Sequence, residues 1–189
     1  LRREFREARE RLPHTKRNAP PQNILVTLGG GDFIEYLENI AQHMSIPALE
    51  GRTVRVIQGA MNAERIRQAF VNCPARLEIL PRVTDMPTLL LETDLCITAG
   101  GSTCWELCCL KVPFLTVEVA ENQLKAVSML LKHNIAQRFT RKTFEMMLQK
   151  KNMQQRAAGN GEQIIEGNGA NKVVAFLHPW PSAWTPIRL

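Results

Sequence analysis

The sequence lacks any apolar run approaching the roughly 18 residues of a membrane span; its longest are short, such as Ile24–Leu28. The opening LRREFREARER has none of the apolar core that a secretory signal needs. These absences lead to the expectation of a cytoplasmic, water-soluble domain with no membrane span. Cysteine is sparse: Cys73, Cys96, Cys104, Cys108 and Cys109 form an odd set with no CxxC pair. His14, His43, His133 and His178 are scattered, in neither HxxxH nor HExxH spacing. Zinc requires three or four convergent ligands, so no metal and no cofactor is expected. The cysteines read as reduced, mostly buried, small apolar residues.

What is present is the composition of a globular chain. Hydrophobic residues make up 44% of the 189 and charged residues 22%, which excludes disorder and collagen-like repeats. By length alone one complete domain is expected. The net charge of +6 invites a nucleic-acid reading, but its distribution argues against one. Residues 1–17 carry seven Arg/Lys and three Glu, and residues 141–189 carry the same, leaving the middle slightly acidic. A nucleic-acid surface would place a basic stripe on the folded body. Solvated helix faces account for the flanks, and no nucleic-acid partner is expected.

Along the chain, Arg2–Leu12 is charged and helix-prone, and Pro13 to Pro21 reads as a linker. Short apolar runs then alternate with segments of helical spacing. Strands are expected at Ile24–Leu28, Thr53–Ile57, Arg76–Leu80, Asp94–Thr98 and Pro113–Glu118, with a weaker sixth at Ala136–Phe139. Helices are expected at Phe33–Met44, Ala63–Val71, Met86–Glu92, Ser102–Leu110 and Asn122–Lys132, then around Thr143–Lys151, Met153–Ile165 and Ala170–Leu177. Strands of about five residues alternating with helices of about ten imply right-handed βαβ units. The fold class is therefore α/β, a doubly wound, mostly parallel sheet of about six strands. The division expected is a basic helix and linker over 1–22, the α/β domain over 23–177, and a Pro/Trp-rich tail over 178–189. That tail carries Trp180 and Trp184, which need a surface to pack on.

In open α/β sheets ligands bind beyond the carboxyl ends of the strands, so the strand-to-helix turns are the candidates. The first is Leu28-Gly29-Gly30-Gly31-Asp32. Its glycines permit close approach to a ligand, and Asp32 can cap the next helix or accept from a hydroxyl. A tight turn with a helix cap explains it equally well. The second, Ala99-Gly100-Gly101-Ser102-Thr103-Cys104-Trp105-Glu106, offers unpaired first-turn N–H groups and two hydroxyls, suited to a phosphate or diphosphate. Glu106, one turn on, is placed to accept from a ribose diol. The alternative is an ordinary Ser102 cap with Glu106 on a solvated face. The third turn, Val119-Ala120-Glu121-Asn122-Gln123, sets two amides at a helix start; polar residues of a capped first turn are the plainer explanation. Three such turns on one edge persuade more together than singly. No catalytic group stands out, since Ser102 and Cys104 have no evident His/Asp partner and GxSxG is absent.

The segment Val83–Met86, the run Glu92–Glu106 and Lys111-Val112-Pro113 together resemble the nucleotide-binding half of type-B glycosyltransferases. That group includes the UDP-N-acetylglucosamine transferase of peptidoglycan synthesis. More closely, LGGGD, GGSTCWELCCLKVPFLTVEVAENQ and EGNGANKV resemble the UDP-2,4-diacetamido-2,4,6-trideoxy-β-L-altropyranose hydrolases of pseudaminic acid synthesis and their spore-coat polysaccharide relatives. The resemblance runs from about Ile24 to Leu177.

It implies a Rossmann-like half of a type-B architecture that binds UDP or a UDP-sugar. Gly101, Ser102 and Thr103 would lie at the diphosphate and Glu106 at the ribose hydroxyls, with Gly100 also among the UDP- or sugar-binding residues. The backbone around Arg82 and Val83 would meet the uracil edge. Asn122 and Gln123 would face the sugar, and Gly30, Gly31 and Asp32 would line the cleft floor. The implied reaction is metal-independent cleavage of the anomeric C–O bond by water, releasing UDP, in nonulosonic-acid or surface-polysaccharide biosynthesis. The family's general base is a histidine in a glycine-rich turn of an N-terminal domain, and residues 1–22 contain no such turn. The expectation is therefore a chain with no catalytic residue of its own, partnered by that missing domain and inactive without it. Two other readings stand beside it: the donor half of a true glycosyltransferase, and a non-catalytic nucleotide-binding or scaffold domain. The ending Pro186-Ile187-Arg188-Leu189 resembles the opening strand of acetyltransferase domains sometimes fused to these hydrolases.

Overall fold

A computed structural model describes residues 1–11, 19–149, 160, 165 and 169–177. The expected helix at Met153–Ile165 and the tail at 178–189 fall largely or wholly outside the described residues, as does most of the linker. The chain opens with helix α1 (Arg3–Glu10) and continues with β1 (Asn23–Thr27), α2 (Ile34–Met44), β2 (Thr53–Ile57), α3 (Ala63–Ala69) and β3 (Arg76–Leu80). After these come α4 (Met86–Glu92), β4 (Leu95–Ala99), α5 (Thr103–Cys109), β5 (Phe114–Val117), α6 (Leu124–Lys132), β6 (Gln137–Arg138), α7 (Arg141–Gln149) and α8 (Gly169–Leu177). The six strands form one sheet in the order β3-β2-β1-β4-β5-β6, every neighbouring pair parallel.

The central strands are apolar on both faces because both faces are covered. Ile24 and Val26 of β1 and Leu95 and Ile97 of β4 join the core under α2, α3 and α7, with Leu37, Ile40, Ile66 and Phe144. Leu25, Cys96 and Phe114 point the other way, into a second core with Phe5 of α1, Leu90 of α4 and Leu107 and Cys108 of α5. Phe5 and Ala8 are buried in that core, so the charged first helix is docked by a narrow apolar stripe.

The edge strand β3 is managed by charge. Arg55 stands in register with Glu78; its Nε donates to Glu78 Oε2 at 3.0 Å and its Nη1 to Glu92 Oε2 at 2.8 Å. Local chemistry sets the helix ends. Asn62 Oδ1 accepts from the N–H groups of Glu64 and Arg65 at 2.9 and 3.1 Å, and Asp85 Oδ1 accepts from that of Thr88 at 3.1 Å. Helices α5 and α6 stop where Lys111 and Asn134 turn left-handed, at φ 54° and 53°. There the Val112 and Ile135 N–H groups reach back to the Leu107 and Leu130 carbonyls, both at 2.9 Å.

The fold is the expected doubly wound α/β domain, with two local corrections. The sixth strand spans only Gln137–Arg138, shorter than Ala136–Phe139, because Ile135 and Ala136 are used in leaving α6. The helix expected from Asn122 starts at Leu124, since Glu121–Gln123 form a tighter 3₁₀ turn closed by the Gln123 N–H on the Ala120 carbonyl at 3.1 Å.

Candidate functional site

The strand order fixes where a ligand can sit. Succession runs outward from β1 through β2 and β3 on one side, and from β4 through β5 and β6 on the other. The reversal falls between β1 and β4, where consecutive connections diverge to opposite faces and leave a crevice at the carboxyl edge. The first and second glycine-rich turns leave these two strands, with Thr27 and Thr98 paired at their ends.

The first turn is braced from below. The Ala60 N–H donates to the Gly30 carbonyl at 3.1 Å. A Cβ on Gly59 would lie 2.7 Å from the Gly29 carbonyl oxygen, and Gly59 has φ +58°. Only glycine lets the β2–α3 connection approach this closely. Around Gly30 a Cβ would meet nothing within 4 Å, whereas at Gly31 it would meet Phe33 Cε2 at 2.8 Å. Asp32 Oδ1 accepts from the Ile34 N–H at 3.3 Å, so its capping role is met and it remains exposed at the mouth.

The second and third turns are joined directly. The buried Gly100 N–H donates to Gln123 Oε1 at 3.1 Å. A Cβ on Gly100 would lie 2.4 Å from Val127 Cγ2, so α6 packs against bare backbone. Beyond it the chain opens: a Cβ on Gly101 would meet nothing within 4 Å. Ser102 occupies the cap position of α5, but its hydroxyl makes no capping bond. The Cys104 and Trp105 N–H groups fold back onto the Gly101 and Ser102 carbonyls at 3.1 and 3.0 Å. Among the described residues, no acceptor holds the Ser102 and Thr103 N–H groups. The plain-cap alternative is thus not what the turn does with Ser102.

Glu106 closes the first turn of α5, its side chain only 16% exposed. Burial raises its pKa above the ordinary value; Arg2 opposes this, and Glu4 adds to it. Arg2 Nη2 stands 3.8 Å from Glu106 Oε1 and Arg2 Nη1 2.7 Å from Glu4 Oε1. A half-buried carboxylate facing one distant cation is poorly compensated. Cys104, by contrast, is poorly placed to act as a nucleophile: it is fully buried, its Sγ donates to the Ala99 carbonyl at 3.4 Å, and burial pushes its thiol up to about 12.

Arg82 and Val83 lie in the turn after β3, on the same edge but two strands from β1. Val83 packs on the second core and Arg82 is exposed. Asn122 is exposed in the third turn. Sequence reasoning missed Gly59–Ala60, which braces the first turn, and Arg2, which reaches Glu106. Gly59 carries a readable signal, a glycine just after an apolar run. Arg2 carries none. Among the described residues no group of three or more His, Cys, Asp or Glu is placed to hold a metal ion, and no helix is long and apolar enough to cross a membrane.

The architecture is a six-stranded parallel Rossmann-like sheet of the kind found in half of a glycosyltransferase type-B fold, with its strand order reversing between β1 and β4. The chain is similar in structure to MurG of Acinetobacter baumannii, with TM-score 0.73 and 19% identity over 93% of this chain and 53% of that one. It also resembles WaaG, a glycosyltransferase of lipopolysaccharide biosynthesis, with TM-score 0.61 and 14% identity over 95% and 52% of the two chains. In sequence it is 29% identical over 92 residues to a UDP-N-acetylglucosamine–N-acetylmuramyl-(pentapeptide) pyrophosphoryl-undecaprenol N-acetylglucosamine transferase of Sulfurimonas denitrificans, covering 47% of this chain and 27% of that protein. It is 28% identical over 105 residues to the spore coat polysaccharide biosynthesis protein SpsG of Bacillus subtilis, covering 54% and 31%. The chain thus matches about half the length of those structures and about a third or less of those curated relatives. No protein-family model matches it.

Proposed function

We propose that this chain is the donor-binding half of a UDP-sugar-dependent glycosyltransferase. The observation that supports the reading is that two glycine-rich turns leave β1 and β4 side by side at the strand reversal, with the third turn, after β5, tied to the second through Gly100 and Gln123. The free N–H groups of Ser102 and Thr103, with their hydroxyls, receive the diphosphate. The Glu106 carboxylate accepts from the ribose hydroxyls, which supply the donors its burial otherwise withholds. The backbone at Arg82 and Val83 meets the uracil edge, Asn122 faces the sugar, and Gly30, Gly31 and Asp32 form the floor.

As the anomeric C–O bond breaks, negative charge grows on the departing diphosphate. Fixed donors aimed there stabilise the transition state more than the ground state. Transfer to a sugar hydroxyl is favoured over the hydrolysis expected from the sequence, because the relatives above include N-acetylglucosamine transferases. The opposite wall of the cleft, with the acceptor and the general base, belongs to a second domain, and the chain alone does not turn over a UDP-sugar.

Calorimetry with UDP, UMP, uridine and ADP tests this. UDP is expected to bind at least about tenfold more tightly than uridine, the share of charge-assisted diphosphate contacts, and more tightly than ADP. Equal affinities, or no binding of UDP, would remove the reading. Release of UDP from a UDP-sugar by this chain alone would remove the need for a second wall.

A further inference from the structure

We infer that Gln123 is a positioning residue whose side-chain oxygen is committed to holding the second turn, so that it meets a ligand only as a donor. The amide orientation follows from its partner. The Gly100 N–H is a donor, so the atom receiving it at 3.1 Å is the Gln123 oxygen. The amide nitrogen then has no acceptor among the described residues. It suits an acceptor oxygen, phosphoryl or hydroxyl, and turns away a group that can only donate.

The oxygen's commitment is enforced by packing. Gly100 is buried, and the space where its Cβ would stand lies 2.4 Å from Val127 Cγ2 and 3.1 Å from Gln123 Cβ. The Gln123 backbone is fixed in turn by its N–H on the Ala120 carbonyl at 3.1 Å. If the oxygen were lost, a buried N–H would stand without a partner, and the turn would have to move to rewet it. Ser102 and Thr103 follow Gly100 one residue on, past Gly101, so their free N–H groups would lose their aim. Gln123 therefore acts on the diphosphate through Gly100 as well as through its own nitrogen, a claim that rests on the nucleotide reading above.

Two variants separate these parts, read by amide hydrogen exchange at Gly100 and by calorimetry with UDP. Gln123→Met keeps the length and removes both polar atoms. Gly100 exchange should rise at least about tenfold as its bond is lost, and UDP should bind about tenfold more weakly. Gln123→Glu keeps an acceptor and replaces the donor with a negative charge. Gly100 protection should stay within about twofold of wild type, while UDP binding falls at least as far as in Gln123→Met. The inference is overturned if Gln123→Met leaves both readouts unchanged, or if Gln123→Glu binds UDP as wild type does. Should Gln123→Met not fold, Gln123→Glu decides alone: kept protection with lost UDP binding supports the inference, and any other result sinks it. Failure of wild type to bind UDP would overturn the nucleotide reading, and Gly100 exchange would still judge the lock.

Discussion

Thr27 and Thr98 stand opposite each other in register at the carboxyl ends of β1 and β4, both buried. From that pair the backbone diverges: Gly29–Gly31 lead to α2 over one core, and Gly100–Ser102 lead to α5 over the other. The gap between the two departures is where the proposed nucleotide lies, and four consequences follow for its surroundings.

Glu106→Gln should separate stability from binding. The folded-state pKa of Glu106 is raised, so its contribution to stability is present below the ordinary carboxylate pKa and lost as pH rises through the folded value. At neutral pH the ionised side chain is a net cost, and a neutral glutamine removes it. Arg2 keeps Glu4 at 2.7 Å. Thermal melts should therefore place Glu106→Gln at or above wild type at pH 7, the difference vanishing near pH 4. UDP affinity should fall by about 1–3 kcal/mol, the range for a hydrogen bond to a charged group. A destabilised variant at pH 7 with unchanged UDP affinity would reverse both assignments.

Gly100→Ala and Gly101→Ala should behave oppositely, although the residues are adjacent. At Gly100 the new methyl meets Val127, a stiff β-branched side chain, and a loss of about 1–3 kcal/mol is expected from overpacking. At Gly101 it meets open space, so the melting temperature should hold while UDP binds more weakly. Denaturant unfolding and calorimetry read the two effects.

Gly59→Ala combines two penalties. Its φ of +58° costs an L-residue about 1–2 kcal/mol, and the methyl pushes on the Gly29 carbonyl. Both stability and UDP affinity should drop, because the displaced carbonyl belongs to the cleft floor. Urea unfolding showing no loss would mean that the brace carries no strain.

Thiol labelling should be sharply uneven. Cys96, Cys104, Cys108 and Cys109 are buried, and burial holds Cys104 and Cys108 up to about 12. Cys73 alone of the five has solvent access, in the connection between α3 and β3. Native titration at pH 7.5 should label Cys73 first, and the other four only after unfolding. Rapid native labelling of Cys104 would restore it as a nucleophile.

The strands were legible because their signal is local. Thr53–Ile57 falls where the residue pattern places it, since buried Val54 and Val56 alternate with half-exposed neighbours along the strand. Helix α6 begins late because Glu121–Gln123 close a 3₁₀ turn, and the Gln123 side chain turns to Gly100, a partner 23 residues away that no local pattern encodes. Asp32 is the opposite case: its carboxylate accepts from the Ile34 N–H two residues on, as the sequence allows.

By itself the sequence determined the alternation of strand and helix, the two-sided apolar core and the identity of the three glycine-bearing or amide-bearing turns. Those depend on periodicity and on the conformational freedom of particular residues. Only the tertiary structure decided that β1 lies beside β4, which brings the first two turns together. It alone joined Gly100 to Gln123, set Gly59 beneath Gly29, and carried Arg2 to Glu106 on a helix docked by Phe5 and Ala8. Each of these joins residues far apart in the chain, and strand order and packing, unlike periodicity, leave no mark on neighbouring positions.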